Sequence, residues 1–344
     1  MPHFPALPKF VRWLVPTLLA AALPRPAVAD PLPERLVVAT WNVEWFYDHY
    51  RGDNRSELSR KQSAPSRAAW DWKRSHVARV IASIRPDIMA LQEVENRQVL
   101  FYLTQELNKK HGLKYRVAFI EGADVFTEQD VAILYRSGLV GYCRREQSRE
   151  MWESRRYFSL SKHIIGHFVW GSGDRAIRLS LINVHLRSRA EAGPTRRRQA
   201  KLVRRWIDDL AAKGHVVIAT GDFNTEQTVS EADPSRTIGI ITGKGTKATD
   251  DDLVDLHRFL PRSQRQTHLN PGKQFDRILV SSDMTALRSA RRPRLRFESI
   301  RTRKDLVVQG KVDTDHWTNY YGLPERERDV SDHYPVVATF VVEK

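Results

Sequence analysis

Six short blocks carry the polar residues best suited to chemistry: TWNVEW at 40–45, LQEV at 91–94, NVHLRS at 183–188, GDFN at 221–224, FDRILVS at 275–281 and SDHYPV at 331–336. Together they offer carboxylates, amides and two histidines, the groups needed to hold a hard cation and move a proton. A phosphodiester hydrolyses very slowly. A protein that cleaves one must neutralise the phosphate, activate water and stabilise the departing alkoxide, and a divalent cation held by oxygens serves the first and third needs.

Glu93 follows an apolar run as an isolated acid and is the strongest metal candidate. Asn42 and Glu44 flank one residue, so on an extended strand they share a face and can enter the same set. Asp222 and Asn224 project together from GDFN; Asp222 suits accepting a proton from water or aligning a nucleophile, and Asn224 suits donating to a phosphate oxygen. Asp332 and His333 are adjacent and diverge, which turns Asp332 toward the metal and leaves His333 as general base, with Asp276 as its orienting carboxylate. His185 is a second strand-end histidine, suited to binding phosphate or protonating the leaving oxygen. Each block alone has a plainer explanation: Glu93 as a surface acid opening a helix, GDFN as an Asx turn. Six in this order make a metal-dependent phosphodiesterase the leading reading.

Strands must deliver these residues. Leu36–Thr40, Asp87–Leu91, Tyr115–Ile120, Val131–Tyr135, Ile177–Val184, His215–Thr220, Phe275–Val280 and Val336–Val342 read as strands. Residues 70–85, 97–110 and 195–212 read as helices, with Pro86 and Gly112 as stops. The third helix turns Leu202, Val203, Trp206, Ile207 and Leu210 inward and is expected to carry Arg196, Arg197, Arg198, Lys201, Arg204 and Arg205 on its outer face. Residues 47–69 and about 285–330 read as exposed loops or insertions. Strands and helices mix without strict alternation, which predicts two packed sheets with helices outside, an α/β sandwich. No Gly-x-Gly-x-x-Gly follows the first strand, which disfavours a dinucleotide fold.

The 344 residues carry 56 Lys and Arg against 41 acids, a formal charge of +15 that favours polyanionic partners. Residues 1–29 read as a secretory signal: Lys9 and Arg12, an apolar run over 13–23, then Ala27-Val28-Ala29 before Asp30. One domain over 30–344 is expected, exported to the periplasm or medium. Cys143 is the single cysteine, so an intramolecular disulfide and a cysteine-based zinc cluster are excluded.

The set WN-x-E, QE, N-x-HL, GDFN, DRI and SDH resembles the endonuclease/exonuclease/phosphatase superfamily over roughly residues 36–342. The resemblance implies a four-layer α/β sandwich with two mixed sheets, and hydrolysis dependent on Mg²⁺ or Mn²⁺, with a structural Ca²⁺ as a further candidate. By position it implies Asn42, Glu44, Glu93 and Asp332 at the metal, and His185, Asp222, Asn224, Asp276 and His333 in catalysis. It adds Arg187, Ser188 and Asn224 as phosphate contacts. The lone cysteine departs from the disulfide-bearing secreted deoxyribonuclease I group. A monomeric nuclease acting on DNA or RNA is the first expectation, supported by charge and the arginine-rich helix. The alternative is a sphingomyelinase-type or other phosphoesterase acting on lipid or small phosphorylated molecules, for which Trp317, Tyr320 and Tyr321 are a hint of a membrane-reaching segment.

Overall fold

The computed structural model describes residues 30–145, 147–225, 236–249, 251–287, 289, 293–311 and 315–344; the expected leader lies outside them. In chain order the strands are β1 (Arg35–Phe46), β2 (Ile88–Val94), β3 (Arg116–Phe119), β4 (Asp130–Tyr135), β5 (Leu139–Cys143), β6 (His163–Trp170), β7 (Ile177–His185), β8 (Val216–Asp222), β9 (Leu253–Asp255), β10 (Asp276–Ser281), β11 (Arg294–Thr302) and β12 (Val336–Glu343). The helices are α1 (Glu57–Gln62), α2 (Arg67–Ile84), α3 (Arg97–His111), α4 (Arg149–Glu153), α5 (Gly193–Ala212), α6 (Thr237–Thr242) and α7 (Asp315–Thr318).

The strands form two six-stranded mixed sheets, ordered β11-β12-β1-β2-β4-β3 and β5-β6-β7-β8-β10-β9. Each has a parallel pair, β1 with β2 and β7 with β8, flanked by antiparallel neighbours. The two-residue period of a strand builds the layers. Val38, Ile88, Ala90, Leu179, Leu181, Val216, Ile218 and Ile278 meet between the sheets. The alternate residues Ala39, Trp41, Met89 and Leu91 pack against α2 and α3, while Ile182, Val184, Val217 and Ala219 pack against α5. This is the α/β sandwich the sequence predicts.

Followed to one end of the sandwich, the inward positions change character. After the apolar residues come Thr40 and Asn42 on β1, Gln92 on β2, Asn183 and His185 on β7, Thr220 and Asp222 on β8, and Asp276 at the start of β10, all buried. Asp276 lies opposite Asp222, and His185 opposite Asp222 on the other side. The antiparallel return of β12 beside β1 brings residues 331–335 to the same end. A polar pocket between two apolar sheets follows from register alone.

At this end the backbone is bent. Glu44, Trp45, Glu93 and Asn224 take φ of 48°, 43°, 61° and 48°, a left-handed conformation uncommon for such residues. The β1–β2 pairing shifts register between Asn42 and Phe46. Such irregularities re-aim side chains and cluster at functional sites. Gly221 is required for a separate reason: a Cβ there would lie 2.0 Å from the Val184 carbonyl oxygen, and φ is +129°. Gly221→Ala is therefore expected to destabilise the fold by about 1–3 kcal/mol from backbone strain alone, with the overlap adding to it. Urea unfolding checks this, and an unchanged midpoint would contradict the close approach of β7 and β8.

Three expectations are corrected. Segment 47–69 is not simply an exposed loop: it carries α1 and buries Tyr47, Asp48, Asn54, Ser59, Ser63 and Ala64. Segment 285–330 contains β11, which pairs with β12 as a sheet edge. Arg196 and Arg204 do not sit on the outer face of α5. Both are buried, Arg196 donating to the carbonyls of Arg187, Arg189 and Ala190, and Arg204 pairing with Asp208 and Asp251. A guanidinium can reach back from a helix to loop carbonyls, a contact that sequence periodicity does not show.

Candidate active site

His333 is held at every side. Its backbone N–H donates to Ser331 Oγ at 3.0 Å, and Ser331 Oγ donates to the Asn42 carbonyl at 2.8 Å. The Trp41 indole donates to the His333 carbonyl at 2.9 Å, so β1 fixes the turn before β12. The imidazole Nδ1 lies 2.7 Å from Asp276 Oδ2, and Asp276 is fully buried. Nε2 then faces Asp222 Oδ2 and Asp332 Oδ1, each at 3.8 Å. Burial by itself would strip the imidazolium of its proton. Asp276, Asp332 and Asp222 outweigh it and hold the pKa well above the ordinary histidine value.

Asp222 joins the two sheets. Its Oδ2 accepts from Asn42 Nδ2 at 3.1 Å, and its Oδ1 accepts from the Asn224 backbone N–H at 2.8 Å. Burial raises its pKa to about 6, against the opposing charge of His333. Asn42 Nδ2 also donates to Glu93 Oε1 at 3.1 Å, while Asn42 Oδ1 accepts from the Glu44 N–H at 2.9 Å. The amide orientation is dictated by its neighbours, because carboxylates only accept and backbone N–H only donates. Asn42 is thus foremost a bridge between Glu93 and Asp222, with one oxygen lone pair remaining. Glu93 Oε2 accepts from the Trp45 N–H at 3.0 Å. Burial, then the charge of Asp332, pushes the Glu93 carboxyl up to about 7.

His185 Nε2 lies 3.5 Å from Asp222 Oδ2 and 4.0 Å from Glu93 Oε1. Burial, with Lys162 and His333 nearby, drives its pKa far below the ordinary value. The neutral imidazole is therefore favoured, which suits it to donating a hydrogen bond rather than to releasing a proton. Asn224 also differs from expectation: its side-chain N–H groups go to Leu186 O at 3.1 Å and Asp222 Oδ2 at 3.2 Å, so it holds Asp222 rather than presenting a donor to phosphate. Arg187 and Ser188 are exposed on the loop after β7. Arg277 is fully buried and pairs with Asp255 at 2.5 Å, tying β10 to β9.

Of the other expected ligands, Glu44 stays beside Asp332. It faces His316 Nε2 at 2.9 Å and accepts from the Asp332 N–H at 2.9 Å. His316 and His268 were not singled out by any motif. His268 Nδ1 accepts from the Asn270 N–H, so its proton sits on Nε2, 3.4 Å from Asp332 Oδ2. These two histidines, with His333, pull the Asp332 carboxyl below its usual range despite burial. Trp317 donates to Asp332 at 3.2 Å and stacks on His268 at 6.1 Å between centroids. Among the described residues, the groups able to share a cation are His268, Asp332 and His333, and Glu44, His316 and Asp332, both at this site.

The sequence model of the endonuclease/exonuclease/phosphatase family matches residues 39–333. Among solved structures, the chain is similar to an endonuclease/exonuclease/phosphatase from Bacteroides vulgatus, at 17% identity and TM-score 0.54, over 90% of this chain and 99% of that one. It is similar to the catalytic domain of human nocturnin with bound sulfate, at 15% identity and TM-score 0.53, over 91% and 96%. It also resembles TDP2 from Caenorhabditis elegans, at 16% identity and TM-score 0.51, over 89% and 75%. At these identities the likeness is one of fold. No curated protein matches in sequence.

Proposed function

The chain belongs to the endonuclease/exonuclease/phosphatase family, and from that premise we propose that it is an exported, divalent-metal-dependent phosphodiesterase acting on nucleic acid, DNA or RNA. The observation that carries the reading is the buried line Asp276–His333–Asp222, joined through Asn42 to Glu93. Asp276 orients His333 and stabilises its protonated form. In its deprotonated form, which the raised pKa shifts toward higher pH, His333 Nε2 takes a proton from water lodged toward Asp222, the 3.8 Å gap being too wide for a direct hydrogen bond. Asp222 aligns that water, and Asn42 and Asn224 fix Asp222. His185, neutral, donates to a phosphoryl oxygen.

The donor set fits a hard cation. Glu93 and Asp332 are half-buried oxygen donors whose mutual repulsion helps raise the Glu93 pKa, a charge surplus that a cation would offset. Those two would hold Mg²⁺ or Mn²⁺, with the remaining lone pair of Asn42, and Glu44 would join on release from His316. The ion supplies charge neutralisation at the phosphate and the leaving oxygen.

The lipid reading finds less support. Tyr320 is not offered to a bilayer: it contacts Lys73 and the carbonyl of Asp329. Trp317, though 44% exposed, is tied to Asp332 and His268. The test is cleavage of plasmid DNA and of a single-stranded RNA by purified protein with Mg²⁺, abolished by EDTA and restored by excess metal. Turnover of sphingomyelin with neither nucleic acid cleaved would reverse the choice.

A further inference from the structure

A cavity of about 640 Å³ opens beside the site, between the loop after β7, the start of α5, and the residues Asn224, Thr225, Arg236 and Thr237. Arg189, Arg197 and Arg236 line it, and no acid does among the described residues. Asn224 and Phe275 form its inner wall. Asn224 also holds Asp222, and the Phe275 ring lies 6.0 Å from that of His333, so the cavity begins where the reacting centre ends.

The cavity is built rather than incidental. Buried Arg196 donates to the Arg187 and Arg189 carbonyls at 2.8 and 2.6 Å. That clamp supports Arg189 at φ +75°, an unfavourable conformation for a non-glycine residue. The side chains of Arg189 and Arg197 are exposed and, among the described residues, make no ion pair. The first turn of α5 holds no acid and no side-chain cap and ends at Arg196, with Arg197 and Arg198 directly after it. Cations there oppose the helix dipole, so local helix stability does not account for them.

We propose that this cavity binds a second phosphate of the nucleic-acid strand, flanking the one that is cut. The inference rests on the nuclease reading and narrows it to strands rather than isolated diesters. Guanidinium groups match phosphate oxygens bidentately. A choline headgroup, itself cationic, would be repelled.

The experiment uses single-stranded oligonucleotides in which one neutral methylphosphonate replaces each phosphate in turn around a unique cut. Wild-type enzyme is expected to lose at least tenfold in kcat/KM at one flanking position. Arg189→Ala/Arg197→Ala is expected to be slower on the natural strand and indifferent to that replacement. Its dependence of log kcat/KM on log salt should be shallower by about 1.4, two contacts at about 0.7 each. Arg189→Lys/Arg197→Lys, which keeps the charge, should recover most of the rate and controls for folding. The proposal is overturned if wild type is indifferent at every position, or if the alanine variant is as sensitive as wild type. Should no oligonucleotide be cut at all, the nuclease reading fails separately. Fluorescence anisotropy with the uncut strand then decides the cavity: at least tenfold weaker binding by the alanine variant supports it, and equal binding rejects it.

Discussion

His333→Asn is expected to lower kcat on an oligonucleotide by about 10³–10⁴, the upper range for loss of a positioned acid/base group, with KM changed little. Asparagine is preferred to alanine for a structural reason. His333 Nδ1 is the partner of Asp276 Oδ2, and Asp276 is fully buried. Removing that partner leaves a carboxylate alone in the interior, a change that commonly costs about 3–5 kcal/mol. An amide can still donate to Asp276 but cannot carry a proton at neutral pH. Single-turnover kinetics separates the chemical step from binding. A His333→Asn enzyme within tenfold of wild type would remove the imidazole from the proton transfer.

Asp222→Asn is expected to reduce kcat by about 10²–10³ and to move the acid limb of the pH–rate profile toward lower pH. The sign follows from the charges. Asp276, Asp332 and Asp222 all raise the His333 pKa against its burial. Neutralising Asp222 removes one of them, so His333 loses its proton at a lower pH and becomes competent as a base earlier. The new amide also sets an N–H against Asn42 Nδ2 and Asn224 Nδ2, which now donate to Asp222 Oδ2 at 3.1 and 3.2 Å. Disturbed water alignment and lost rate are the consequence. If Asp222 rather than His333 took the proton, the acid limb would vanish with the substitution instead of moving. That outcome would exchange their roles.

The same two residues show where local reading stops. Asp222 stood out because it ends an apolar run with a polar pair, and His333 because its polar pair stands just before one, transitions visible within a few residues. Their environment did not: Asp276 reaches His333 across 57 residues and Glu44 meets His316 across 272. His268 lies in an irregular segment and His316 in the four-residue α7, too short for a periodic pattern to mark it. Asn224 matched the motif, but its amide turned to Asp222 and Leu186 because those acceptors lay nearest.

The amino-acid order alone determined the layers and the end of the sandwich where chemistry collects. Apolar residues at two-residue spacing must face a core, and the first polar residue on that face must sit at its rim. Only the tertiary structure decided how that rim is divided. Sheet register set Asp276 and His185 on either side of Asp222, and the insertion around α7 set His316 against Glu44. The Arg196 clamp shaped the cationic cavity. Register and long-range hydrogen bonding depend on which strands become neighbours, and no short stretch of sequence contains that information.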